Sequence, residues 1–162
     1  ELLERPNVML VRSMTKDYAL TSLRLGYSLA SEEVTRQMAA FQPDWSVNGL
    51  AQAAGLAALA DPGYLSRARE AVALAKAFLT DQLATLGFIV HPSAANFLLV
   101  RVGDTHSWHD QLMRKGLFVR DCTSFGLPEY VRLGIRSLPD CRRLVETMKS
   151  LLDEEAAQNV LP

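Results

Sequence analysis

Apolar residues occur in two patterns along the chain, as short continuous runs and as longer stretches with a three- or four-residue spacing. A short apolar run between polar or turn-forming residues is typical of a strand buried on both faces of a sheet. We therefore expect a buried strand over residues 8–11 and a second strand over residues 25–29. Ser31 then precedes two glutamates, which predicts the N-cap of a helix that ends near Phe41.

The middle of the chain is predicted to be helical. Ser46 or Asn48 is the expected cap of a helix of small residues that ends at Ala60. Apolar residues then recur at three- and four-residue spacing over residues 64–86, which predicts a long amphipathic helix. Gly87 is expected to end it.

After this helix, short strands and helices alternate in a way that predicts a small α/β domain. The predicted strands cover residues 88–90, 96–102, 117–120 and 130–135, and the predicted helices cover residues 107–115 and 140–155. The fold class is therefore α/β. We place one domain in residues 1–62 and a second, which includes the long connecting helix, in residues 63–162.

Composition and charge exclude several classes of protein. The chain has 162 residues, with 17 basic and 18 acidic side chains and a net charge of −1, so nothing favours nucleic acid or an anionic membrane as a partner. Cys122 and Cys141 share no metal-type spacing with the three histidines, so we expect reduced thiols and no metal site. Without a transmembrane-length apolar stretch or a signal-peptide pattern, the sequence predicts a cytoplasmic protein.

One segment between the first two predicted strands carries candidate chemistry. Ser13 stands three residues before Lys16, and Arg24 follows eight residues after it. A lysine amine can bond an aldehyde, while a hydroxyl and a planar guanidinium suit a phosphate dianion, and pyridoxal phosphate (PLP) needs this combination. The Ser-x-x-Lys core also occurs in serine β-lactamases and penicillin-binding proteins, but no Ser-Asp-Asn or Lys-Thr-Gly motif follows here.

The segment resembles the lysine motif of the fold-type I PLP-dependent aminotransferases, in which Ser-x-x-Lys is followed after seven residues by Arg and shortly by Gly. Its sequence is most similar to the same motif of the histidinol-phosphate aminotransferases and the threonine-phosphate decarboxylases, since it reads Arg-Ser-Met-Thr-Lys and then Leu-Arg-Leu-Gly-Tyr. The likeness continues through residues 45–48, 92–99, 119–122 and 124–127. It implies the C-terminal part of the PLP-dependent transferase fold, with residues 1–62 as the remnant of the large PLP-binding domain.

The resemblance also implies roles for individual residues. Lys16 would be the catalytic lysine that bonds PLP, and Ser13 and Arg24 would hold the cofactor phosphate. Arg132 would bind the anionic group of the substrate, and Arg120 would help to hold a substrate phosphate. Asn96 belongs to an Asn-Phe pattern near the substrate site. From the residues alone, two arginines on neighbouring strands indicate an anion site, although Arg120 could instead pair with Asp121.

In this family the other parts of the cofactor site precede the lysine, so the resemblance implies that this chain is the C-terminal half of an enzyme. We expect the missing N-terminal half as a partner, a homodimer at full length, a small amino substrate, and no turnover by this chain alone. One alternative is decarboxylation of a phosphorylated amino acid with the same cofactor. Another is a non-catalytic α/β interaction module.

Overall fold

The computed structural model describes Arg5 and residues 7–160, the last three of these without their side chains. Pro6, which together with Asn7 we expect to bound the first predicted strand, lies outside the described residues. The chain divides into two compact units, Glu1–Ala68 and Arg69–Pro162. The predicted domain boundary between residues 62 and 63 falls near this division and stays a prediction.

Six strands and six helices are described within these residues, together with one 3₁₀ turn over Thr123–Phe125. The strands are β1 (Met9–Ser13), β2 (Gly26–Ala30), β3 (Ile89–Val90), β4 (Phe97–Arg101), β5 (Arg120–Asp121) and β6 (Tyr130–Gly134). The helices are α1 (Met14–Asp17), α2 (Glu32–Ala39), α3 (Gly49–Leu59), α4 (Tyr64–Thr85), α5 (Thr105–Arg114) and α6 (Leu138–Val160). No helix in the described part of the chain is long and apolar enough to cross a bilayer.

The first unit consists of the antiparallel pair β1–β2 followed by α2 and α3. The predicted caps are confirmed, because the Ser31 hydroxyl accepts from the Val34 N–H (3.4 Å) and the Asn48 side chain accepts from the Ala51 N–H (2.9 Å). These bonds satisfy amide groups that a helix leaves unpaired in its first turn. They place the starts of both helices close to the predicted positions.

The prediction that the first strand is buried on both faces is wrong. Met9 is 41% exposed, Leu10 37% and Val11 68%. Within the described residues β1 pairs with β2 and with no other strand, so its other edge and much of its surface remain open. An apolar run alone therefore identified the strand but not what covers it.

This apolar exposure predicts self-association of the chain. Exposed large apolar side chains continue from the strand pair into the segment between α2 and α3, where Phe41 is 87% exposed and Trp45 98%. Open strand edges and contiguous apolar surface favour pairing with another chain. In sedimentation velocity we expect species larger than a monomer at micromolar concentration. Val11→Lys, which puts a charge on the open strand, should shift the distribution towards monomer, whereas a monomeric parent chain would contradict the prediction.

The second unit is a four-stranded antiparallel sheet in the order β3-β4-β6-β5, with one face packed on helices. Alternation along β4 and β6 places Leu98, Val100, Val131 and Leu133 in the core, each no more than 2% exposed. The other core residues come from the helices and are Ala75, Leu79, Leu83, Trp108, Leu112, Cys141, Val145, Met148 and Leu151. The opposite face of the sheet carries the intervening residues of the same strands.

The predicted strand over residues 117–120 is largely wrong, since only Arg120 and Asp121 pair with β6. The cause is the way α5 ends. Gly116 adopts a left-handed conformation (φ 74°) and donates to the Met113 carbonyl (2.9 Å), while the Leu117 N–H donates to the Leu112 carbonyl (2.9 Å). This is a Schellman motif, and it takes the Leu117 amide away from the sheet.

Candidate active site

Lys16 lies on α1, a four-residue helix that starts directly after β1. Ser13 is the N-cap of this helix, and its hydroxyl accepts a hydrogen bond from the Thr15 N–H (3.3 Å). The Ser13 and Thr15 hydroxyls are also hydrogen-bonded to each other, 2.8 Å apart. Capping thus fixes two hydroxyls beside the lysine, one of which the sequence pattern did not single out.

The backbone brings the segment that directly follows Arg24 back to the start of α1. The Met14 N–H donates to the Leu25 carbonyl (3.0 Å), and Ser13 stands opposite Gly26 in the β1–β2 register. A Cβ at Gly26 would lie 2.8 Å from the Arg12 carbonyl oxygen, so this close approach requires glycine. The backbones of Ser13, Lys16 and Arg24 therefore lie where the end of β1 meets the start of β2.

The loop between Lys16 and Arg24 is short and strained. Ala19 (φ 55°) and Arg24 (φ 52°) both have left-handed backbones, which costs a non-glycine residue roughly 1–2 kcal/mol. The Thr21 hydroxyl donates to the Thr15 carbonyl (2.9 Å), and the Arg24 guanidinium donates to the Thr21 carbonyl (3.2 Å). Strain of this kind persists where the surroundings hold a residue in place, and it is often found at functional sites.

The three predicted cofactor-binding side chains, Ser13, Lys16 and Arg24, are all exposed. Arg12 pairs with Asp17 at 2.7 Å, which occupies the carboxylate next to Lys16 in the sequence. Within the described residues the Lys16 amine has no hydrogen bond or ion pair. The three cavities that the structure describes are lined by other residues. An amine, two hydroxyls and a guanidinium are therefore available to a ligand without displacing any contact of the amine.

In the second unit, Arg120 and Arg132 stand directly opposite each other on β5 and β6. Like charges in such a cross-strand pair destabilise the sheet unless an anion lies between or beside them. The two guanidinium groups turn apart, since Arg132 lies over the Phe97 ring (5.4 Å to its centroid) and Arg120 over the Phe125 ring (5.2 Å). The guanidinium groups of Arg120 and Arg132 on this face of the sheet are thus each held against an aromatic ring.

Neither guanidinium is paired with a carboxylate within the part of the chain that the structure describes. Arg120 donates to the Ser124 hydroxyl (3.0 Å) and not to Asp121, whose carboxylate accepts from the Thr123 N–H (2.7 Å). Hydrogen bonds from Thr123 keep the pKa of Asp121 below its usual value. By contrast, Arg101 on the same face donates twice to Glu129 (2.9 and 3.1 Å). Because no described carboxylate neutralises Arg120 or Arg132, both guanidinium groups are available to an anionic ligand.

Asn96 makes a structural contact through its backbone, because its carbonyl accepts from the Ile135 N–H (3.0 Å) just beyond the β4–β6 pairing. Its side chain is exposed, and its predicted role near the substrate stays a prediction. Sequence reasoning missed Thr15, Phe97 and Phe125 as candidate site residues. A hydroxyl two residues after a capping serine was a usable signal for Thr15. The aromatic partners of the arginines could not be identified without the strand order.

Comparisons with known proteins decide the family. A family model described as aminotransferase class I and II matches residues 1–148. The chain belongs to that family. This confirms the resemblance read from the lysine motif, and the aminotransferase fold confirms the predicted α/β class.

Three relatives show how much of an aminotransferase the chain represents. A histidinol-phosphate aminotransferase of Symbiobacterium thermophilum is 40% identical over 150 residues, which cover 92% of this chain and 42% of the relative. The solved histidinol-phosphate aminotransferase of Sinorhizobium meliloti, in complex with pyridoxal-5'-phosphate, has a TM-score of 0.75 and 27% identity over 93% of this chain and 43% of its own. The L-threonine-O-3-phosphate decarboxylase of Porphyromonas gingivalis has a TM-score of 0.74 and 26% identity, covering 94% of this chain and 49% of its own. The chain therefore spans less than half the length of each.

Proposed function

We propose that this chain carries the lysine and several binding side chains of a PLP-dependent aminotransferase that acts on an amino acid or amino phosphate such as histidinol phosphate. Family membership and the similarity to histidinol-phosphate aminotransferases support the proposal. The observation on which it mainly depends is the Met14–Leu25 backbone hydrogen bond (3.0 Å), which joins the segment bearing Lys16 to the segment bearing Arg24.

The donor set in the first unit suits the cofactor. PLP, when bound, supplies an aldehyde that bonds an amine and a ring that withdraws electrons from the substrate. Lys16 would provide that amine, since its amine has no competing partner among the described residues. Ser13 and Thr15 would donate hydroxyl hydrogen bonds to the phosphate, and Arg24 would add a charge-assisted, two-pronged contact.

During the reaction Lys16 would have a second task. Once its amine is free, it can take a proton from the substrate α-carbon and return it elsewhere, as a general base and then a general acid. Lys16 sits on a helix whose start is capped by Ser13, and Arg12 keeps the neighbouring Asp17 occupied (2.7 Å). These contacts fix the backbone that presents the amine.

Substrate recognition is assigned in this proposal to the open face of the second unit. Arg132 would bind a carboxylate or equivalent anion, and Arg120 would hold a second anionic group such as a phosphate. Because the two guanidinium groups turn towards different rings, they suit two separate anionic groups better than one. Asn96 is assigned a minor role beside them.

A second candidate is decarboxylation of a phosphorylated amino acid on the same residues. The similarity to the Porphyromonas gingivalis decarboxylase, at 26% identity, favours keeping it. The two reactions differ in which substrate bond is held for cleavage, which depends on how the arginines orient the substrate. With a full-length enzyme, release of carbon dioxide would identify the decarboxylase, and amino transfer that depends on a keto acid would identify the aminotransferase.

The proposal extends to partners. Since the curated relatives are more than twice as long as the matched region, we propose that the activity needs an N-terminal half. Membership of the aminotransferase family supports the proposal of a homodimer at full length. This chain alone should then show no turnover. If the chain were instead a non-catalytic interaction module, PLP would not react preferentially with Lys16.

This difference predicts where PLP reacts on the chain. After brief incubation with low PLP and reduction with borohydride, peptide mass spectrometry should find Lys16 labelled well ahead of Lys76, Lys115 and Lys149. The reason is that two hydroxyls and a guanidinium are proposed to hold the PLP phosphate beside the Lys16 amine. Arg24→Gln should reduce labelling of Lys16 by about tenfold or more, since each charge-assisted hydrogen bond lost contributes about 1.5 kcal/mol.

Lys149 serves as the internal control because it lies on α6, which contributes none of the proposed donors, and its labelling should not respond to Arg24→Gln. Pyridoxal without phosphate should not favour Lys16 over Lys149, since both lysines are exposed. Equal labelling of all lysines by PLP would contradict the assignment of Lys16.

A further inference from the structure

A cavity in the second unit is not used by the proposed reaction. It has a volume of about 420 Å³ and lies between residues 116–119, the end of β6 and the first turns of α6. Pockets of about 300–1,000 Å³ are the size that holds small organic ligands. The cavity is therefore large enough for a molecule with one aromatic ring.

The cavity exists because strand pairing stops early. Arg120 pairs with Arg132, but the Schellman turn at Gly116 draws the preceding residues away from Leu133 and Gly134. The gap left between the two backbones forms the cavity. Gly116 and Leu117 of the turn that ends α5 form one wall of it.

The walls combine apolar surface with a net positive charge. Leu117, Val119, Leu133 and Leu144 line it, and Phe118 stands at its edge with 82% of its surface exposed. The charged side chains that line it are Arg136, Arg143 and Asp140. Two guanidinium groups against one carboxylate leave an excess of one positive charge.

Asp140 is already engaged, since its carboxylate accepts from the Ser137 hydroxyl at 2.7 Å and lies 3.9 Å from the Arg136 side chain. Arg143 uses one N–H on the Lys115 carbonyl (2.9 Å) and has four more N–H groups available. A carboxylate is the planar anion that matches a guanidinium fork. The apolar walls would hold the body of the same molecule.

We propose that this cavity binds a small aromatic monocarboxylate, with its carboxylate on Arg143 and Arg136 and its ring among Leu117, Val119 and Leu144. Charge complementarity and cavity size both favour this class over a neutral ligand or a bare inorganic anion. The site lies within one unit and does not depend on the proposed transaminase chemistry.

The chain contains its own reporter and control for this site. Cys141 lines the cavity, whereas Cys122 does not, and both thiols are 2% exposed. Burial raises the pKa of both thiols, so both start as slowly reacting groups. With the complete 162-residue chain, benzoate should slow alkylation of Cys141 by a small reagent while the rate at Cys122 is unchanged.

At ten times its dissociation constant, benzoate should slow the Cys141 reaction by roughly tenfold, as expected when bound ligand excludes the reactive state. Benzamide, which has the same ring without the charge, and inorganic phosphate, which has the charge without the ring, should give little protection. Arg143→Gln should abolish the protection. Arg142→Gln is the matched variant, because the Arg142 guanidinium lies over the Phe78 ring (4.9 Å) and does not line the cavity.

A second measurement avoids reliance on thiol reactivity. In amide NMR spectra of the unmodified chain, benzoate should shift the Gly116 and Gly134 signals in a saturable way and leave Gly55 of the first unit unmoved. The proposal is overturned if benzoate protects both cysteines equally, if benzamide or phosphate protects Cys141 as well as benzoate does, or if the glycine signals do not saturate.

Discussion

Replacing Lys16 with alanine is expected to abolish amino transfer in a full-length enzyme that contains this chain. The amine is proposed both to bond the cofactor and to move the α-proton. Positioned acid–base groups alone contribute about 10²–10⁴-fold to a rate, so the loss should be at least that large. The visible absorbance of the cofactor–lysine bond should disappear together with the activity, and both are measured on the same sample.

Two further variants make this result specific. Lys16→Arg keeps the positive charge but cannot bond the aldehyde, so it should be as inactive as the alanine variant. Lys149→Ala removes an exposed lysine on α6 and should leave the rate unchanged. Retained turnover with an unchanged spectrum in Lys16→Ala would refute the role assigned to this residue.

The second large effect is expected from Arg132. Arg132→Gln removes the guanidinium proposed to bind the substrate anion, so KM for an anionic amino substrate should rise by about tenfold or more, as for loss of a charge-assisted hydrogen bond of about 1.5 kcal/mol. A neutral analogue of the substrate should be affected much less. Steady-state kinetics with the two substrates measure this difference.

Arg101 provides a matched control for Arg132. It lies on the same face of the same sheet, but its guanidinium is already bound to Glu129 at 2.9 and 3.1 Å. Arg101→Gln removes the same charge from the unit, so general electrostatic effects should be alike in the two variants. If Arg101→Gln raised KM as much as Arg132→Gln, the specific role of Arg132 would be lost.

Features fixed by local chemistry could be predicted from the sequence. Ser31 and Asn48 cap helices as predicted, because a cap depends on a side chain and the amides just after it. The long helix begins at Tyr64 as expected, and Gly87 (φ 89°) follows its end. The lysine motif was also local enough to identify the family before the fold was known.

Features that depend on distant segments could not be predicted in this way. Burial of β1 requires knowledge of what covers it, and the apolar run alone gave the wrong answer. Pairing of Arg120 with Arg132 follows from the order β3-β4-β6-β5, in which β5 is at the edge next to β6. β5 is short because the Leu117 N–H donates to the Leu112 carbonyl at the end of α5 and is not available to the sheet. Residue propensities do not include this competition between the helix end and the sheet.

The left-handed backbone of Arg24 is a position where the stability of the fold and the binding of a phosphate favour different residues. Folding alone would favour glycine at this position, because only glycine adopts φ 52° without steric conflict. Glycine, however, has no guanidinium to offer a phosphate. At position 24, therefore, the most stable fold and the tightest binding of the ligand require different amino acids. A search for stabilising substitutions that ignored the ligand would replace Arg24, the side chain proposed to bind the cofactor phosphate.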